Sequence, residues 1–193
     1  MSYTIMPGDH APILEDLLGT DGITYSLNDL KLKSFTVIFF SCNHCPYVTG
    51  SDELTREVAN KYARDVNFVA INSNSKNTYE EDSYEHMVKR MEEYNFPWLY
   101  LYDVSQQVAR DYGALKTPHF YLFDNNWKLI YTGRATDNPR NTNERKTNDL
   151  EVAIEAAISG KNVSIPITNP IGCNIKWDGK PAHWMPAEAC DLI

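Results

Sequence analysis

Apolar and polar positions along the chain alternate between two periods, short strand-like runs and longer helix-like ones. Phe35 to Phe40, Val66 to Ile71 and Trp98 to Tyr102 are short apolar runs rich in β-branched and aromatic residues, which predicts buried strands. Leu115 to Asp124 predicts a turn at Pro118 running straight into a strand. Asn125-Asn126 turns it back to an antiparallel partner over Leu129 to Gly133. Between these runs the apolar residues recur at helical spacing. Tyr47 to Tyr62 places Val48, Leu54, Val58, Ala59 and Tyr62 on one side. A second helix, capped by Asp82 or Ser83, carries Met87, Met91 and Tyr94 and closes at Asn95 and Pro97. Gln106 to Tyr112 is a short helix ended by Gly113. Thr147 to Ser159 is a longer one, with Leu150, Ala153, Ile154, Ala157 and Ile158 on one face and Gly160 as its stop.

The remaining segments are expected at the surface. Met1 to Ala11 reads as a loop entering the body at Ile13 and Leu14, and Gly22 to Leu32 as a small edge hairpin. Asn72 to Tyr79 and Asp137 to Lys146 are polar loops. Lys161 to Ile193 is interrupted by Pro166, Pro170, Pro181 and Pro186. It also holds Ile165, Ile167, Ile171, Ile175, Trp177 and Trp184, too apolar a set for disorder. The expected organisation is one domain over residues 1–160, with residues 161–193 as an ordered tail packed on it. Strand and helix alternating to residue 112, then a hairpin and a helix, predict an α/β fold with a central mixed sheet flanked by helices.

The chemistry concentrates where the strand ending at Phe40 meets Ser41-Cys42-Asn43-His44-Cys45-Pro46. Pro46 stands where a helix begins, since a proline there gives up no helical hydrogen bond. A thiolate at such a point is stabilised by free backbone N–H groups and by the positive end of the helix dipole. Its pKa falls, so it is nucleophilic at neutral pH. A second thiol three residues away can resolve a mixed disulfide within the same turn. His44, if protonated, lowers the thiol pKa further, and Asn43 is placed to hydrogen-bond the turn.

Composition narrows the setting without changing this reading. The 193 residues carry a net charge of −8, with 42% hydrophobic and 23% charged residues, ordinary for a soluble domain and unfavourable for nucleic acid as a partner. No apolar run reaches the roughly 18 residues of a membrane helix. Met1 to Leu18 has no basic segment before an apolar one, so a cytoplasmic protein is expected, with a mature exported protein as the alternative. Four cysteines are too few for a disulfide scaffold at this length. Zinc needs about four N or S ligands, and Cys173, Cys190 and the scattered histidines show no paired spacing around Cys42 and Cys45.

Five blocks, in order, resemble the thioredoxin superfamily, and within it the peroxiredoxin-like group of redoxin-domain proteins. They are Cys42-Asn-His-Cys-Pro-Tyr47, Ala70-Ile-Asn-Ser-Asn74, Thr117-Pro118 with Phe120 to Asp124, Tyr131-Thr-Gly-Arg134, and Gly172-Cys-Asn-Ile-Lys-Trp177. The resemblance implies a thioredoxin-like fold, a cis Thr117–Pro118 bond facing the cysteines, Cys42 as the exposed attacking thiol and Cys45 as the more buried resolving one. It implies thiol–disulfide exchange on protein or small-molecule disulfides, reset by an external thiol reductant, with no organic cofactor or metal. A thiol peroxidase working through a sulfenic acid is the first alternative. Peroxiredoxins carry Thr or Ser three residues before the peroxidatic cysteine and Pro four earlier still; if Cys45 held that role, Cys42 and Ile38 would fill those places. Their catalytic Arg falls near Pro118. A non-enzymatic redox-gated or metal-binding module is the second alternative. Cys173 is either a third redox thiol or a small buried apolar residue, and Cys190 is read as incidental. Arg134 is expected in a surface ion pair. The run Glu80-Glu81-Asp82 with Glu85 is expected on a solvated face, and His10, His86, His119 and His183 as surface or internally satisfied residues.

Overall fold

The computed structural model describes residues 3–189 and 192, so Cys190 lies outside the described residues. Strands β1 (Leu17–Gly19), β2 (Thr24–Tyr25), β3 (Phe35–Ser41), β4 (Val66–Asn72), β5 (Leu99–Tyr102), β7 (His119–Asp124) and β8 (Leu129–Gly133) form one sheet, ordered β2-β1-β5-β4-β3-β7-β8. The centre is parallel, β3 against β4 and β4 against β5; β7 and β8 continue it antiparallel on one side and β1 and β2 on the other. This is the central mixed sheet that the sequence pattern predicts, in the form that the family resemblance implies.

The central strands are buried on both faces, which is why their sequences read as continuous apolar runs without polar alternation. Successive side chains point to opposite faces. Val37 and Phe39 join Phe68, Ala70, Phe120 and Leu122 beneath helices α2 (Asp52–Lys61), α3 (Tyr84–Tyr94) and α5 (Asp149–Ile158). Ile38 and Phe40 join Val69, Ile71, Tyr121 and Phe123 on the other face, beneath α4 (Gln107–Tyr112) and the C-terminal segment. No helix among the described residues is long and apolar enough to cross a membrane.

Three local expectations are corrected. The N-terminal hairpin spans Leu17 to Tyr25; residues Leu27–Leu30 instead form a 3-10 turn, in which the Asp29 carboxylate accepts the Ser26 N–H at 2.8 Å. Leu14 is buried as expected, whereas Ile13 is 71% exposed. The helix after the cysteines is two pieces, α1 (Pro46–Thr49) and then α2. The break falls at Gly50 and Ser51. The Ser51 hydroxyl bonds back to the Tyr47 and Val48 carbonyls, a contact that bends helices. A Cβ at Gly50 would lie 2.7 Å from the Pro139 carbonyl, so the 139–140 loop packs directly on the break.

The C-terminal segment runs along the body rather than away from it. Thr168 and Thr132 are joined through N–H···O at 3.0 Å, and Ile175 and Trp177 are buried in the core, while Ile165 stays exposed. Its short strand β9 (Cys173–Asn174) pairs antiparallel with β6 (Lys116–Thr117), placing Cys173 directly opposite Thr117.

Candidate functional site

The C-terminal end of β3 delivers Cys42, and three residues later Cys45 is the N-cap of α1 with Pro46 at its first position. The Thr117–Pro118 peptide is cis. Thr117 faces both cysteines: Cys42 Sγ lies 3.4 Å from its hydroxyl and Cys45 Sγ 3.4 Å from its carbonyl oxygen. Cys42, Cys45 and Val48 form a small buried cluster, with Tyr47 and Cys173 packed against it. The structure therefore gathers Cys42, Cys45, Pro46, Thr117, Pro118 and Cys173 into one place. Both Cys42 and Cys45 are 0% exposed, so the expectation of an exposed Cys42 is corrected. The tail contributes to this cover, because β9 pairs with β6 and Cys173 packs against the cluster. Cys173 itself is only partly buried.

Asn43 and His44 belong to a polar scaffold centred on Asp82, which is fully buried. Its carboxylate accepts the Asn43 backbone N–H at 2.7 Å and the Asn74 side-chain amide at 2.8 Å. His44 Nδ1 lies 2.8 Å from Asp82 Oδ2 without forming a hydrogen bond, and the ring stacks on Tyr79 at 4.0 Å. The Asn43 side chain donates to the Glu81 carbonyl and accepts from the Tyr100 hydroxyl. Asn74 in turn accepts the Lys176 N–H at 2.9 Å, so one network ties the cysteine loop to the tail. The solvated-face expectation for Asp82 is thus corrected: the 3-10 turn Glu80–Asp82 directs its last carboxylate inward to orphan donors of the cysteine loop. Nothing in an acidic run of sequence marks one member as buried. Asn72 and Asn74, which place Asp82, lie in one of the five matched blocks, and that was the available signal.

The Redoxin family model matches residues 6–150. The chain belongs to the Redoxin family. Its likeness to solved structures extends further. A conserved protein of Geobacillus kaustophilus is 39% identical over 93% of this chain and 96% of that one, with a TM-score of 0.86. A hypothetical protein of Sinorhizobium meliloti is 33% identical over 93% and 98%, with a TM-score of 0.85. The exposed lipoprotein thioredoxin of Streptococcus pneumoniae is 25% identical over 63% and 87%, with a TM-score of 0.52. No curated protein matches the chain. Membership of the Redoxin family makes thiol redox chemistry the general function, and among the described residues the three cysteines, Cys42, Cys45 and Cys173, lie together.

Cys42 and Cys45 are electrostatically unlike. Cys45 is held far below the ordinary thiol range, down to about 4. The Cys42 S–H directed at its sulfur is the main cause, helped by the Cys173 S–H and by the Cys173 and Tyr47 backbone N–H groups, and opposed by burial. The Tyr47 N–H falls short of a regular cap hydrogen bond, so it acts through proximity. The Thr117 carbonyl favours the protonated form of Cys45 but is outnumbered by these donors. Cys42 is pushed up by burial, then by its hydrogen bond to Cys45 and by the Asp82 charge, although the Thr117 hydroxyl opposes the rise. The one-turn length of α1 leaves little macrodipole to act, so the donors, not the helix, single out Cys45.

This asymmetry has a pH signature. Between the ordinary thiol pKa and about 4, unfolded Cys45 binds a proton that the folded thiolate has shed. Its contribution to stability is therefore complete above the ordinary value and is lost as pH falls through about 4. Cys42 and Cys173, both raised, act in the opposite direction and only above the ordinary thiol pKa. Urea unfolding of the reduced protein at pH 5 and pH 8 is expected to show a smaller difference in Cys45→Ser than in wild type. Equal differences would mean that Cys45 is protonated in the fold.

Cys42 Sγ, His44 Nδ1 and an Asp82 oxygen also lie within 4.8 Å of one another, the one such trio among the described residues. The oxygens of Asp82 are already used by the Asn43 and Asn74 donors, so metal binding there would compete with the loop's own support. His119, beneath Pro118, is fully buried, and burial holds its pKa down to about 3. Its Nδ1 accepts from Leu115 N–H and the Tyr121 hydroxyl, and Nε2 pairs with the Thr132 hydroxyl, so it is an internally satisfied residue as expected. Arg134 pairs with Asp149 at 2.8 Å, the ion pair expected of it.

Proposed function

We propose that the protein is a thiol–disulfide oxidoreductase that cycles a Cys42–Cys45 disulfide, with Cys45 as the attacking thiolate and Cys42 as the resolving thiol. The observation that carries this reading is the burial of Cys42 and Cys45 in one cluster against the cis Thr117–Pro118 wall, with Cys45 the thiol held low. The order of attack is the reverse of the one the family resemblance implies, because the donors converge on Cys45. When local opening of the segment over Cys45 admits a disulfide of a protein or small molecule, Cys45 attacks it, forming a mixed disulfide and releasing one thiol. Cys42 then gives up its proton and attacks the Cys45 sulfur. The second thiol leaves, and a Cys42–Cys45 disulfide remains. An external thiol reductant returns the pair to the dithiol.

Differential alkylation with peptide mass mapping across a glutathione redox series tests this. A Cys42–Cys45 disulfide titrating as one two-electron couple is the expected result. Independent alkylation of the two cysteines at every potential would reject it. A thiol peroxidase is the second reading, favoured by the same low pKa of Cys45, since the thiolate is also the form that peroxide oxidises. A trappable Cys45 sulfenate and consumption of hydrogen peroxide faster than by free cysteine would select it; a rate equal to free cysteine would remove it.

A further inference from the structure

Both members of the proposed redox pair are sealed from solvent, and the thiol that reaches the surface beside them belongs to the tail. Cys173 is partly exposed, stands opposite Thr117 in the β6–β9 pairing, and packs against the Cys42–Cys45 cluster, where its thiol and backbone N–H act on Cys45. Cys45 thus has two thiols as neighbours, Cys42 after β3 and Cys173 from the tail. The Redoxin match ends at residue 150, so this third thiol lies in a segment that the family model does not cover.

We propose that Cys173 is a relay thiol that exchanges with the disulfide at Cys45 and carries it to the surface, where external thiols reduce it. The proposal rests on the redox-pair reading above. The step balances as a thiol–disulfide exchange with no net oxidation. The Cys173 sulfur attacks the Cys45 sulfur of the Cys42–Cys45 disulfide, a Cys45–Cys173 bond forms, the Cys42–Cys45 bond breaks, and the departing Cys42 sulfur takes up the proton that Cys173 loses. An external monothiol such as glutathione then attacks Cys173, releasing the Cys45 thiolate. A second molecule of that thiol attacks the resulting mixed disulfide, yielding the external disulfide and free Cys173.

The surroundings of Cys173 fit a thiol used only in the oxidised state. In the reduced protein burial, followed by the hydrogen bond to Cys45 and the negative charge there, keeps Cys173 protonated, with its pKa raised to about 11. Oxidation of Cys45 removes that charge. Lys176 and Lys116, which already act in the other direction, then face Cys173 without opposition from Cys45. Lys176 is itself anchored, its Nζ donating to the Asn174 carbonyl at 2.6 Å and its backbone N–H to Asn74. The tail and β6 therefore each hold a cation near the attacking sulfur at the stage when it has to ionise.

The test uses the full chain and two readouts. Oxidised Cys42→Ser protein, which has no Cys42–Cys45 bond to form, is expected to yield an intramolecular Cys45–Cys173 disulfide by peptide mapping. Reduction of oxidised Cys173→Ser protein by glutathione is expected to be at least about tenfold slower than that of wild type, because the remaining disulfide is buried. Cys173 alkylated as a free thiol in every oxidised sample would overturn the proposal. So would a Cys45–Cys173 disulfide accompanied by a wild-type reduction rate in Cys173→Ser, since pairing without that effect is not a relay. Failure of the underlying reading is distinct: wild type would show no Cys42–Cys45 disulfide at any potential, whatever Cys42→Ser reveals about Cys173.

Discussion

Replacing Cys45 by serine is expected to reduce disulfide turnover by a factor on the order of 10³ or more, the scale on which loss of a covalent nucleophile is felt. Serine keeps the volume and the N-cap position but is not ionised at neutral pH, so the donors from Cys42, Cys173 and Tyr47 lose the anion they face. Cys42→Ser is expected to behave differently. Attack survives, and once Cys173 is also replaced by serine, so that neither neighbouring thiol can resolve it, the mixed disulfide on Cys45 accumulates where wild type releases product. Turnover of an aromatic disulfide, followed by intact-protein mass, separates the two variants. If Cys42→Ser is inactive and Cys45→Ser is the variant that traps adducts, the assignment drawn from the hydrogen-bond donors is wrong and the order implied by the family resemblance holds. Cys42 has no backbone N–H acting to offset its desolvation, whereas Cys45 has two.

Gly172→Ala is expected to loosen the tail from the site. A Cβ at residue 172 would stand 2.2 Å from the Thr117 carbonyl oxygen and 2.6 Å from its carbon, with the Pro118 nitrogen 3.1 Å away. These are backbone atoms, so no flexible side chain can yield; β9 has to move off β6. Overpacking of this kind costs about 1–3 kcal/mol, and here the cost falls on the segment that covers Cys45. Two measurements follow: a lower urea midpoint, and alkylation of reduced Cys45 accelerated by about tenfold or more as local opening becomes easier. Wild-type stability together with wild-type protection of Cys45 would show that the tail is not held at this contact.

Strands and helices were legible because the chemistry of each is local. Val37 to Phe40 and Phe68 to Ile71 are apolar at every step because parallel strands are covered on both faces, and Gly113 and Asn95 end helices in left-handed conformations as their positions suggested. The Cys-x-x-Cys at a strand's end and Thr117-Pro118 before a strand were equally visible. The placement of Ile13 was misread because a single apolar residue in a loop carries no period to say which way it faces. Tyr47 to Tyr62 reads as one helix because nothing in its periodicity records that the 139–140 loop packs at Gly50.

The sequence by itself determined the α/β architecture, the redox-type cysteine pair and the turn proline beside it, since these depend on residue type, spacing and period. Tertiary structure alone decided which thiol is the stabilised anion, that Asp82 is a buried support for the cysteine loop, and that Cys173 lies against Cys45. Each of those outcomes depends on groups far apart in the chain, Asp82 on Asn43 and Asn74, and Cys45 on the backbone of residue 173. A thiol's pKa is set by the charges and donors within a few ångströms of the sulfur. Those neighbours exist only once the tail has folded back across the sheet.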